Sequence, residues 1–180
     1  MKSELKAKFL QHLISKKRDG GFTLIELLVV IIIIGILAAI ALTSFLNQAN
    51  KAKQSEAKTY VGSMNRSQQA YYMEKNNTFA DNANFSALGL GIQTSTVNYT
   101  YTISGGGNGA LLVSNLATTA ALSPLKAYVG GVATVAQGAT SESTTLAILC
   151  EADKSLASGG SATAAIAATP ACPAGFSTIK

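Results

Sequence analysis

The chain is expected to be an α+β protein, a long N-terminal helix packed on a C-terminal antiparallel sheet. Two observations predict this. Near the N-terminus an unbroken apolar run, Leu27 to Leu42, passes into an amphipathic stretch that reaches about Lys75. Beyond it, the segment Val97–Ile103 alternates apolar and polar side chains without error and is followed by a glycine-rich turn, as in a β-hairpin.

The first element is basic. Residues 1–21 carry six basic and two acidic side chains, whereas the remaining 159 residues carry eight and seven. The net charge of +5 therefore sits almost wholly in that segment, and its local origin argues against bulk electrostatic nucleic-acid binding by the rest. Local patches such as Lys51, Lys53 and Lys58 leave DNA binding during uptake as an alternative, but read first as a solvated helix face or as lysines near lipid headgroups.

From Phe22 to Leu42 only Thr23 and Glu26 interrupt the apolar pattern. As a helix these 21 residues span roughly 31 Å, the thickness of a bilayer hydrocarbon core. The basic stretch before them predicts a cytoplasmic N-terminus, with the chain after Leu42 placed across the membrane. A secretory signal peptide would have a shorter apolar region and an A-x-A-like cleavage site. It would also gain nothing from a carboxylate such as Glu26.

The residues Gly20-Gly21-Phe22-Thr23-Leu24-Ile25-Glu26-Leu27-Leu28-Val29-Val30, and onward through Gly35 to Ala41, resemble the prepilin signature of the type IV pilin family. The long leader resembles those of some cyanobacterial pilins. The resemblance implies the type IV pilin fold and a division into a cleaved leader (1–21), a transmembrane and assembly helix (22–42), an amphipathic helix (43–75) and a region (76–180) holding an αβ-loop, an antiparallel sheet and a disulfide-bounded loop. It implies a prepilin peptidase and methyltransferase that cuts between Gly21 and Phe22 and N-methylates Phe22. It also implies a homo-oligomeric filament, an inner-membrane pilus assembly machinery, and membrane lipid as partner before assembly. Location follows as a single-pass bacterial inner membrane precursor and then an extracellular filament.

Glu26 needs a cation once helices pack against helices and water is excluded. The α-amine of Phe22 lies four residues away, and the helix dipole favours an acid there. In the family the partner is the amine of a neighbouring subunit, which would set axial register because a slipped subunit buries an unpaired charge. Glu26 as a tolerated interfacial carboxylate is the bland alternative.

The amphipathic stretch places Phe45, Ala49, Ala52, Tyr60, Met64 and Tyr71 near one face, with Asn76-Asn77-Thr78 as the stop. The family usually has proline where this chain has Thr43, so a continuous helix is expected. Residues 76–96 read as loop with a short helix around Phe85–Leu88. Ala110–Ser114 should pair back on Val97–Ile103, and further strands should lie within Leu125–Val135 and Thr144–Glu151 in a meander. Gly105–Gly109 lacks the lysine and the setting of a phosphate loop.

Cys150 and Cys172 lack C-x-x-C spacing and a nearby histidine, so no metal site is expected. In an oxidising compartment they read as one disulfide; the alternative is two unpaired small apolar residues. Closing that loop would stabilise by about 3 kcal/mol in the chain-entropy model. Residues 152–180 are rich in Ala, Ser, Gly and Thr and offer few core anchors. Asn76, Asn84 and Asn98 begin N-x-[ST] triplets of the kind a Ser/Thr-rich chain produces by accident.

Function follows as a structural pilus subunit for motility, adhesion or DNA uptake, with a minor pilin or type II secretion pseudopilin as runner-up. A membrane-anchored enzyme or binding domain is the reading of another class. It is poorly supplied: His12 lies in the leader, and of the mature acids only Glu151 and Asp153 are close enough in sequence to suggest a cation site. No enzyme activity and no cofactor are expected.

Overall fold

A computed structural model of the chain describes residues 2–16, 21–137, 142–167 and 171–179. The chain divides into two compact units, Met1–Leu46 and Asn47–Lys180. Within the first, α1 spans Lys2–Lys16 and the apolar run forms the opening of α2, which extends over Leu24–Glu74. Helical assignment is unbroken through Gly35 and Thr43, as the missing proline predicts. The Thr43 hydroxyl donates to the Ile40 carbonyl at 3.0 Å, a local bond that leaves the backbone ladder in place.

In the second unit, α2 ends where Asn76 and Asn77 take positive φ values of 49° and 59°. Asparagine tolerates this conformation better than other side-chain-bearing residues, so the stop lies at the expected place. A short 3₁₀ segment, Asn82–Leu88, follows, capped by Asp81 and closed by Gly89. The sheet is an antiparallel meander of five strands in sequence order: β1 (Thr100–Gly105), β2 (Leu112–Thr118), β3 (Tyr128–Gln137), β4 (Glu142–Ala152) and β5 (Phe176–Thr178).

The α+β class and the meander agree with expectation; several details differ. β1 begins at Thr100 rather than Val97, and Val97 is fully exposed. The cause is a turn: the Thr96 hydroxyl accepts from Tyr99 N at 3.2 Å, and Thr96 N donates to the Tyr99 carbonyl at 2.8 Å. The alternation still marks the right face, because Tyr99, Tyr101 and Ile103 are all buried. β2 starts at Leu112, since Ala110 closes the glycine turn onto Gly107.

The buried face of α2 in this unit agrees at Met64 and otherwise differs. Ala57, Val61, Met64, Asn65, Gln68 and Tyr72 are buried, whereas Ala52 is exposed and Tyr60 and Tyr71 are half-buried; Phe45, in the first unit, is exposed. The core stripe is rotated by roughly a quarter turn from the apolar one. Two amides on it explain the shift. Gln68 spans the Ala80 backbone, donating to its carbonyl and accepting from its N–H, both at 2.9 Å. Asn65 donates to the Ile148 carbonyl and accepts from the Asn115 amide, also at 2.9 Å each. Counting apolar residues alone misses amides that satisfy a sheet.

Both faces of the sheet are covered. One carries α2 with the larger core, including Tyr99, Tyr101, Val113 and Val132. The other carries a second cluster, in which Ile166 and Phe176 from the C-terminal segment pack near Ala127, Val129 and Cys150. The segment 152–180 therefore supplies core anchors and a strand, contrary to its composition. Adjacent glycines on β3 permit this double packing. A Cβ on Gly130 would meet Val61 of α2 at 2.6 Å, and one on Gly131 would overlap Ile166.

Candidate functional site

Three features carry functional interest: the start of α2 with its apolar run, the disulfide-held cover on the sheet, and the polar groups that pin the loop after α2.

Gly21, Phe22 and Thr23 precede α2 in non-helical, exposed conformation. Thr23 is the N-cap. Its carbonyl accepts from Leu27 N at 3.2 Å, and its hydroxyl accepts from Glu26 N at 3.3 Å. Glu26 reaches back, its Oε2 accepting from Thr23 N at 2.8 Å and from the Thr23 hydroxyl at 2.7 Å. This is a reciprocal capping box, two otherwise orphaned helix-end donors satisfied by each other's residues. Sequence reasoning assigned Glu26 to an amine and overlooked Thr23, although the T-x-x-E spacing was there to be seen. With Gly21 attached, Phe22 carries a peptide nitrogen, and the carboxylate turns to Thr23.

A Cβ on Gly21 would meet nothing within 4 Å among the described residues. No neighbour among them requires glycine at that position. Gly35 is likewise free of any neighbour that would exclude a side chain. The large apolar side chains from Phe22 to Leu46 are 42–85% exposed, so no part of the described chain covers them. A helix so uniformly apolar and so bare requires lipid or another protein around it. An 18-residue stretch of it has a mean hydropathy of 3.1, so by length and composition it is able to cross a membrane.

Cys150, fully buried on β4, is bonded to Cys172, with Cα atoms 5.7 Å apart. The loop so closed contains Ile166, whose N–H donates to the buried Ser114 hydroxyl at 2.9 Å. Cover and sheet are thus joined by one covalent bond, one buried hydrogen bond and apolar packing.

Glu56, on α2, holds the loop before β1. Its carboxylate accepts from the Thr96 hydroxyl at 2.8 Å, and from Asn98 Nδ2 and the Tyr101 hydroxyl at 3.2 Å each. Glu151 accepts from Lys126 at 2.6 Å and from the Tyr128 hydroxyl at 3.2 Å. Burial first, then these carboxylates, hold the phenols of Tyr99, Tyr101 and Tyr128 well above the usual tyrosine range. Glu151 and Asp153 line one small pocket at the end of β4, but each is engaged by its own partner, Glu151 by Lys126 and Asp153 by the Ser177 hydroxyl, from which it accepts at 2.6 Å. Among the described residues no group of three or more His, Cys, Asp or Glu could hold a metal ion. Asn84 donates to Asp81 and Asn98 to Glu56, so two of the three N-x-[ST] asparagines are engaged within the fold.

Residues 54–173 match the family model described as "Type IV pilin-like G and H", and residues 16–42 match the "Prokaryotic N-terminal methylation motif". Among curated proteins, the chain is 48% identical over 67 residues to the type IV major pilin protein PilA of Myxococcus xanthus, covering 37% of this chain and 30% of that protein. It is 37% identical over 108 residues to the fimbrial protein EcpC of Eikenella corrodens, covering 58% and 67%. It is 34% identical over 61 residues to the type II secretion system core protein G of Aeromonas hydrophila, covering 34% and 43%. The chain thus spans less than a third of the length of the Myxococcus relative. No solved structure matches it.

Proposed function

The chain belongs to the type IV pilin-like family, and on that premise we propose that it is a structural subunit which polymerises through α2 into a cell-surface filament. The observation that carries this is the bare apolar run headed by Gly21-Phe22 and a carboxylate at the first helical turn. In this reading residues 1–21 are a leader removed by a prepilin peptidase. Residues 22–42 are first a single-pass inner-membrane anchor and later the filament's interior, 43–75 the amphipathic helix, and 76–180 the surface region.

The empty surroundings of Gly21 support a peptidase as the agent that needs glycine there, because a side chain would obstruct its active site. Cleavage turns the Phe22 nitrogen into an amine, which methylation keeps cationic. That creates a partner for Glu26 that the precursor lacks. On the same strand of logic, the capping box stores the carboxylate until an amine, from its own or a neighbouring subunit, competes with Thr23 for it. The subunit does no chemistry; processing and assembly are done to it by the peptidase, the methyltransferase and an inner-membrane machinery.

Likeness to the Aeromonas core protein G favours a second reading, a pseudopilin of a type II secretion system. The N-terminus of protein sheared from cells tests the main reading. N-methylphenylalanine at position 22 in surface filaments is expected. A Met1 start, or a start beyond Leu42, would refute it, and processed protein that never leaves the envelope would favour the pseudopilin. Glu26→Gln should insert and be processed but fail to enter filaments; wild-type filament yield would remove the register role.

A further inference from the structure

The segment before the apolar run carries more than charge. α1, Lys2–Lys16, belongs to the same unit as the run and is itself two-faced. Phe9 is 67% and Leu10 59% exposed, so no described residue covers either. Helical spacing places position Leu5 one turn before them and positions Leu13 and Ile14 one turn after, which makes a short apolar stripe. Glu4, Lys8, Gln11 and Ser15 fall on the opposite face. Lys6 interrupts the stripe near its start, and positions Lys2 and Lys16 close its ends. An apolar stripe edged by lysines is the pattern of a helix lying in a membrane surface. There the apolar side chains dip between headgroups, while long lysine stems carry their charge out to the phosphates.

We propose that α1 lies flat on the anionic lipid surface from which the apolar run departs, and so holds the Gly21–Phe22 junction at the membrane face until cleavage. The proposal rests on reading 1–21 as a leader and 22–42 as a membrane anchor. Alone, so short a stripe would bind a bilayer weakly. Two features strengthen it. Charge is the first: residues 1–21 carry six basic and two acidic side chains, and each lysine near an anionic surface multiplies binding about fivefold. Tethering is the second. Five residues separate Lys16 from Phe22, a reach of at most about 20 Å, so an inserted run keeps the surface close to α1. The same charge argues against a second copy of α1 as the partner, because two such stripes would meet lysine to lysine. Cleavage after Gly21 would remove this hold together with the leader, so it acts on the precursor alone.

The chain has no tryptophan, so Phe9→Trp and Gln11→Trp each give a single fluorescent reporter, about 200° apart around α1. Full-length chain carrying one or the other is placed in nanodiscs whose acyl chains are brominated near the headgroups, made of phosphatidylcholine with or without phosphatidylglycerol. With phosphatidylglycerol the Phe9→Trp reporter should be quenched and the Gln11→Trp reporter should not. Adding Lys6→Gln and Lys8→Gln should lower the ratio of bound to free α1 about fivefold for each. Equal quenching at both positions, which marks charge attraction without a face, would overturn the proposal. Equal quenching in pure phosphatidylcholine, which marks apolar burial alone, would do so too. So would an unquenched Phe9→Trp reporter whose emission shifts as more chains share a disc, which marks a second copy in place of lipid. A chain that stays out of the discs defeats the anchor reading and the proposal together; one that inserts with its Phe9→Trp reporter unquenched defeats the proposal alone.

Discussion

Consider truncating Ile166 to alanine. Ile166 is 3% exposed, packs against Gly131 of β3, and has its N–H tied to Ser114. The change removes three carbon groups at about 0.8 kcal/mol each and leaves a cavity that a disulfide-closed loop collapses into only in part. A loss of about 2–5 kcal/mol is expected, large beside the total stability of a domain. Thr163→Ala, on the exposed part of the same loop, should change stability by less than about 0.5 kcal/mol. The assay is urea unfolding followed by tyrosine fluorescence. The chain has no tryptophan, and its six tyrosines all lie in the Asn47–Lys180 unit, so the signal reports that unit alone. Repeating it after reduction separates packing from closure: if the disulfide holds the cover down, Ile166→Ala should cost less in the reduced protein than in the oxidised one. A loss below about 1 kcal/mol in the oxidised chain would refute the idea that the second sheet face is packed.

Further outcomes follow from other contacts. Gly130→Ala should destabilise by about 1–3 kcal/mol, because the new Cβ overlaps Val61 and Asn65 of α2; an unchanged urea midpoint would refute that close approach. Gln68→Ala leaves the Ala80 N–H and carbonyl without their partner, at a cost of about 1–3 kcal/mol, and should raise amide exchange at Ala80 first. Thr23→Ala removes the cap and should weaken the first turn of α2 by about 1 kcal/mol, visible as faster amide exchange at residues 24–27 with the rest of the helix unaffected. For pH, the phenols of Tyr99, Tyr101 and Tyr128 have folded pKa values above the unfolded value of about 10. Above that pH the folded state binds more protons than the unfolded one, so stability is complete below about pH 10 and falls as pH rises further. Tyrosinate absorbance should therefore appear for these three together with unfolding, and their free ionisation near pH 10 in a folded chain would refute it.

Much of the site was legible because it is local. The apolar run, the Gly21-Phe22 junction and Glu26 are consecutive, and the physics of a bilayer acts on consecutive residues. Even the Thr23–Glu26 capping box lay in a four-residue spacing; it was overlooked because a charge beside hydrocarbon invites a search for a cation before a hydrogen bond. Tyr99, Tyr101 and Ile103 were placed on the correct face by alternation alone, since a strand's side chains must point to opposite sides.

What the linear chain left open depends on contacts between distant residues. The core face of α2 is decided by Asn65 and Gln68, polar residues whose burial is favourable only because Ile148, Asn115 and Ala80 come to meet them. Ile166 and Phe176 looked like stray apolar residues in a small, polar segment, and become anchors because Gly131 clears the space and Cys150 ties the loop down. Sequence by itself determined that this chain carries a membrane-length apolar helix with one carboxylate at its head, because hydropathy and spacing are properties of neighbours. Only the tertiary structure decided which faces of helix and sheet are interior, because burying an amide or covering a second face depends on partners 12 to 83 residues away.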